Sequence, residues 1–208
     1  MGSLNGVNMA TAVHRIARCH LVSQGSDDLL ASSTWDRMLT NIEDMAKRRT
    51  SSMPVNCTSI IAWACATIGV FRMSLFSALA SRACNGIRDF QPYEVTNIMW
   101  AYAEFTQTAK QITEPMKNLC EAVAKRLSAR RQGEFKVVSL ISALLSLSKL
   151  ADCDSIQPIW SVDLKTVCSC LSREIVSRKE ELPPAKFAEM TRAFTAMHKL
   201  GISCSSGF

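Results

Sequence analysis

Apolar residues recur at helical spacing along most of the chain, and residues 91–105, QPYEVTNIMWAYAEF, set the phase for the rest. Val95, Ile98, Trp100, Ala101 and Ala103 combine helix-spaced apolar positions with two alanines, small enough to admit a neighbouring helix closely. Upstream, Thr58, Ile61, Trp63, Ala64 and Ala66 occupy the same slots in CTSIIAWACA. Downstream the pattern returns more faintly in Val137, Leu140, Ser142, Ala143 and Leu145, and again in Phe187, Met190, Arg192, Ala193 and Thr195. In that last copy Pro184 falls where Pro92 sits. Self-similarity at a period of about 37 to 50 residues predicts stacked helical hairpins. The expected fold is therefore all-α, an α-solenoid of about four to five antiparallel hairpins.

The same pattern divides the chain. Residues 1–8 are expected to be disordered, 9–201 to form the helical-repeat domain, and 202–208 to form a disordered tail. A first helix is predicted over 9–22, then a polar connection over 23–33. Thr34 is the expected N-cap of a helix carrying Trp35, Leu39 and Ile42, with Asp36 placed to favour the positive pole of its dipole. The second hairpin is predicted over 57–68 and 74–84, with a turn at Gly69 and a stop at Asn85-Gly86. The third opens at Pro92, runs to about 105, and continues from Thr113-Glu114-Pro115 along Met116, Leu119, Val123 and Leu127. Further helices are predicted over 135–149, along Leu164, Val167, Leu171 and Ile175, and over 185–199 before Gly201. That last helix lacks a partner, so the array is expected to be truncated or completed by another molecule.

Trp63 and Trp100 hold equivalent slots, and packing between helices is the favoured role for both over stacking on a ligand. The carboxylates Glu180 and Glu181 lie beside cations in a connecting segment, where solvated surface is expected. No G-x-S-x-G, H-E-x-x-H, glycine-rich phosphate loop or local Cys-His motif occurs, and no catalytic residue is assigned.

Composition sharpens this only in places. Nine cysteines contain no C-x-x-C to join His14 and His20, which are spaced H-x₅-H, so neither a zinc site nor a cofactor is expected. Most cysteines occupy apolar helical slots, as small core residues in a reducing compartment would. No apolar run is long enough to span a membrane. Residues 1–26 contain no acidic residue and carry Arg15 and Arg18 among apolar and hydroxyl residues, a pattern shared by a mitochondrial presequence and by an ordinary first helix.

Charge matters more through its placement than its total. The chain carries 24 Lys and Arg against 18 Asp and Glu, a net +6. Cationic groups recur at or just after the ends of alternate helices: Lys47, Arg48 and Arg49; Arg82 and Arg88; Lys125, Arg126, Arg130 and Arg131; Arg178 and Lys179. In a regular stack these ends share one edge, a stripe able to follow a sugar-phosphate backbone with salt-dependent affinity. Cations at helix C-termini are also favoured by the dipole alone, by roughly 0.3–1 kcal/mol each. Single-stranded RNA and a purely structural role are thus both compatible with the pattern.

The run F-x-P-x-x-x-x-N-I-x-W-A-Y-A, given by Phe90, Pro92, Asn97, Ile98, Trp100, Ala101, Tyr102 and Ala103, resembles the helical-hairpin repeats of organellar RNA-metabolism proteins. These are the octotricopeptide-like and RAP-domain-associated repeats, the chloroplast Tbc-type translation factors and the RNA-editing substrate-binding complex subunits. The likeness spans roughly residues 50–200. It implies a non-catalytic α-solenoid that binds single-stranded RNA in a mitochondrion or plastid and acts in its processing, stability or translation. Departures from the pattern are Ser142 and Arg192 at the Trp slot and the lack of a following RAP domain. The alternative expectation is a protein-interaction scaffold or structural subunit of a mitochondrial assembly, with a protein partner at the open C-terminal end.

Overall fold

The computed structural model describes residues 5–22, 27–48, 53–109, 111–153 and 163–202. Arg49, Trp160 and Cys204 lie outside the described residues, as do most of the connection over 151–158 and all but Ile202 of the expected tail. The described residues are all-helical, with ten α-helices and no strand.

The helices are α1 (Gly6–Val22), α2 (Asp27–Leu30), α3 (Ser33–Lys47), α4 (Cys57–Thr67), α5 (Met73–Cys84), α6 (Pro92–Ala109), α7 (Glu114–Ser128), α8 (Val137–Ala151), α9 (Leu164–Ser177) and α10 (Phe187–Lys199). Neighbours form two runs. Helices α1, α4, α6, α8 and α10 pack one on the next, and α3, α5, α7 and α9 do the same. The runs join through α4 with α5, α6 with α7, and α8 with α9.

Side-chain contacts fix the direction within each run. Near the starts of α3 and α5, the Arg72 Nη2 lies 3.7 Å from Asp36; at their ends Arg82 donates to the Arg48 carbonyl at 3.1 Å. In the other run, Lys149 Nζ reaches Glu104 Oε1 at 2.5 Å and Gln107 donates to the Lys149 carbonyl, joining the C-terminal ends of α6 and α8. Helices α3 and α5 are therefore parallel, as are α6 and α8; Thr113 with Ser77 at 3.0 Å near the starts of α7 and α5, and Arg130 with Glu174 at 2.8 Å near the ends of α7 and α9, carry the same direction along the second run.

The small residues read from the sequence act as spacers. Ala64, Ala101 and Ala103 are fully buried, and Tyr102 donates from its hydroxyl to the Phe76 carbonyl at 2.6 Å. Around that bond Phe76 meets Phe105 at 4.7 Å and Tyr102 at 5.3 Å between ring centroids, a geometry that adds to plain area burial.

Several boundaries differ from expectation for local reasons. The first helix begins at Gly6 rather than after residue 8, because the Asn5 side-chain oxygen accepts from the Asn8 amide at 2.9 Å. Gly6 itself is buried where an added Cβ would stand 2.4 Å from Met53 Cβ. The cap of α3 is Ser32, not Thr34: its hydroxyl accepts from the Trp35 amide at 3.2 Å and donates to the Leu29 carbonyl, which the short α2 turn supplies. Ile202 is buried, with its amide donating to the Met197 carbonyl at 3.0 Å, so it closes α10 rather than opening a tail. The tryptophans also part company. Trp35 is 2% exposed, whereas Trp63 and Trp100 are only half-buried; both pack against the core, as expected, but each leaves part of its ring open.

Candidate nucleic-acid interface

Because α3, α5, α7 and α9 are parallel neighbours, their C-terminal ends line up, and a groove opens between each pair. The first, about 700 Å³, lies between α3 and α5 and brings together Lys47, Arg48 and Arg82. The second, about 630 Å³, lies between α5 and α7 and brings together Arg88, Lys125 and Arg126 with the half-buried Cys84. The third, about 420 Å³, lies between α7 and α9 and carries Arg130 and Arg173 beside Glu174. Arg131 and Lys179 are exposed near this edge without lining a groove.

Within the edge the cations have two fates. Arg48, Arg88, Lys125, Arg131 and Lys179 are exposed. Lys125 shares its charge with Glu121 at 3.0 Å, and Lys47 with Glu43 at 2.5 Å, both one helical turn back. Burial acts to raise the Glu43 carboxyl, but Lys47 and the Ser74 hydroxyl outweigh it and leave it below the ordinary range. Such exposed pairs are worth about 0–1 kcal/mol and yield readily to a phosphate.

The remaining arginines are built into the fold. Arg82 is half-buried and donates to the carbonyls of Arg48 and Met53, tying α5 to the segment that leads into α4. Arg126 pairs with Glu134 and lies over the Phe135 ring, 5.7 Å from its centroid. The Arg126 bond is the main cause holding the Glu134 carboxyl below its ordinary value.

Arg130 and Arg178 converge on Glu174. Arg130 donates to Glu174 Oε2 through Nη2 at 2.8 Å and Nε at 3.1 Å, and to the Leu127 carbonyl at 2.9 Å. Arg178 donates to Glu174 Oε1 at 2.8 Å, to both oxygens of Glu181, and to the Phe135 carbonyl at 3.0 Å. The Gly133 amide completes the set at 3.0 Å, presented by a backbone with φ of +79° that glycine adopts without strain. Burial pushes the Glu174 carboxyl up, yet the Gly133 amide and Arg130 outweigh it, and the net direction is down. Glu181 is thus partly a partner of Arg178, whereas Glu180 is exposed.

Arg173 was not singled out from the sequence, although it is exposed and lines the third groove. Its signal is faint: it stands alone in mid-helix, five residues before Arg178, outside any cationic cluster. Chemically the edge offers guanidinium and ammonium donors to an extended anion. Burial pushes the thiols of Cys65 and Cys120 up to about 12, as befits core residues. Among the described residues no group of three or more His, Cys, Asp or Glu is placed to hold a metal, and no helix is long and apolar enough to cross a membrane. Comparison of the chain with models of known protein families, with curated proteins and with solved structures finds no match.

Proposed function

We propose that this protein is an α-solenoid of stacked helical hairpins that binds single-stranded RNA along its cationic edge and performs no catalysis of its own. The observation that carries the reading is the line of three grooves between the C-terminal ends of α3, α5, α7 and α9, each bordered by cations. Exposed Arg48, Arg88, Lys125, Arg131 and Lys179 are the phosphate contacts, while Arg82, Arg126, Arg130 and Arg178 shape the edge. The resemblance of Phe90, Pro92, Asn97, Ile98, Trp100, Ala101, Tyr102 and Ala103 to organellar hairpin repeats supports a role in RNA processing, stability or translation in a mitochondrion or plastid. A protein-interaction scaffold of the same fold, with its partner at the C-terminal end, is the second reading. It is favoured by the commitment of those four arginines to internal bonds, which shows that cations at these ends also serve the fold.

The test is the affinity for a single-stranded RNA oligonucleotide measured across salt concentrations. Arg88→Ala, Lys125→Ala and Arg131→Ala combined remove exposed charge without touching the Glu174 network. Each lost phosphate contact is expected to reduce the slope of log affinity on log salt by about 0.7, so the triple variant loses about 2. Binding with an unchanged slope would overturn the edge as the RNA site.

A further inference from the structure

The run opposite the cationic edge carries a groove of a different chemistry. It is about 460 Å³ in volume and opens where α1, α4 and α6 meet. Thr11, His14 and Arg18 reach it from α1 at spacings of three and four, Trp63 from α4, and Tyr93 and Asn97 from α6 one turn apart. Helical spacing therefore puts each contribution on one face of its helix. The His14 and Trp63 rings stand 5.3 Å apart at 39°, and Tyr93 is 56% exposed. The Asn97 side chain makes no hydrogen bond to another described residue, and no carboxylate is among the residues that line the groove.

We propose that this groove takes an unpaired nucleobase of single-stranded RNA. The half-buried Trp63 and its neighbour His14 form one wall, and the exposed Tyr93 ring supplies a second stacking surface. The Asn97 amide offers both a donor and an acceptor to a base edge, and Arg18 supplies a cation for the adjoining phosphate. A planar heterocycle satisfies three aromatic rings, one amide and one guanidinium together; a simple anion would leave the rings unused. The inference rests on the reading of the protein as an RNA binder but assigns it a separate surface, one that reads bases rather than phosphates.

The experiment compares a single-stranded oligoadenylate with an abasic strand of equal phosphate count, each titrated across salt by fluorescence anisotropy. The base-bearing strand is expected to bind about 5- to 150-fold more tightly, the range for one base-aromatic stack. Tyr93→Ala, at an exposed position, is expected to cut that ratio several-fold at an unchanged melting temperature, and His14→Ala to cut it further. Equal binding of the two strands, or a ratio untouched by both substitutions, overturns the groove while a retained salt slope leaves the cationic edge standing. A ratio lost in Tyr93→Ala with a flat salt slope has the opposite meaning. Absence of binding by either strand overturns both.

Discussion

Replacing Arg130 with alanine should cost far more stability than replacing Arg131, although the two are adjacent and equally charged. The Arg130 side chain is 7% exposed and its partner Glu174 5%. Truncation removes two bonds to Glu174, one to the Leu127 carbonyl and one to the Cys170 carbonyl. Breaking a buried pair from one side costs about 3–5 kcal/mol, because the surviving charge keeps its desolvation penalty. Here Glu174 retains Arg178 and the Gly133 amide, so the lower end, about 3 kcal/mol, applies. For a chain of this length that corresponds to a melting temperature lower by about 6–12 °C. Arg131 bonds only through its backbone, its amide donating to the Glu134 carboxylate at 2.9 Å and its carbonyl accepting from the Glu134 amide at 3.2 Å, and Arg131→Ala should stay within about 0.5 kcal/mol. Thermal and urea denaturation followed by circular dichroism, both variants at neutral pH, make the comparison. Equal losses, or a negligible loss for Arg130→Ala, would refute the assignment of Arg130 to the fold and return it to the pool of RNA contacts.

Two further outcomes follow from the structure. The folded Glu174 carboxyl lies below its ordinary value of 4.5, so on acidification the unfolded chain takes up the proton first; the stabilisation is complete above about pH 4.5 and disappears as pH falls through the folded value. Urea midpoints measured from neutral to acidic pH should therefore fall less steeply in Glu174→Gln than in the parent, and parallel curves would contradict the network. Gly6→Ala should destabilise by about 1–3 kcal/mol, since the new Cβ would stand 2.5 Å from the Met53 backbone Cα as well as against its side chain; an unchanged melting temperature would show that α1 and the segment before α4 are not in contact.

Helix positions were legible because they depend on neighbours three and four residues away. The turn at Gly69, the start at Pro92 and the inward Met116, Leu119, Val123 and Leu127 all stand where the pattern places them. What the sequence hid was non-local. The Ser32 cap depends on the Leu29 carbonyl delivered by a one-turn helix within a stretch that reads as plain polar connection. The outward tilt of Trp63 depends on which helix covers it, and α1 leaves it half open beside His14.

The cationic edge illustrates the limit most fully. Charge and proximity to a helix end were readable, but the partner that decides each arginine's role is remote: Arg82 meets the Met53 carbonyl 29 residues back, and Arg178 meets that of Phe135 43 residues back. These two contacts share a form. In each, an arginine at the C-terminal end of a helix reaches the backbone just ahead of the preceding helix, Met53 before α4 and Phe135 before α8. A carbonyl short of a helix start has no intrahelical donor, so a guanidinium that satisfies it also fixes how the two helices pair. Recurrence of a cation at one phase of the repeat is therefore explained first by the pairing of helices. The cations that escape such bonds, Arg48, Arg88, Arg131, Arg173 and Lys179 together with the surface-paired Lys47 and Lys125, present charge to a ligand, and it is on them that a phosphate backbone would have to lie.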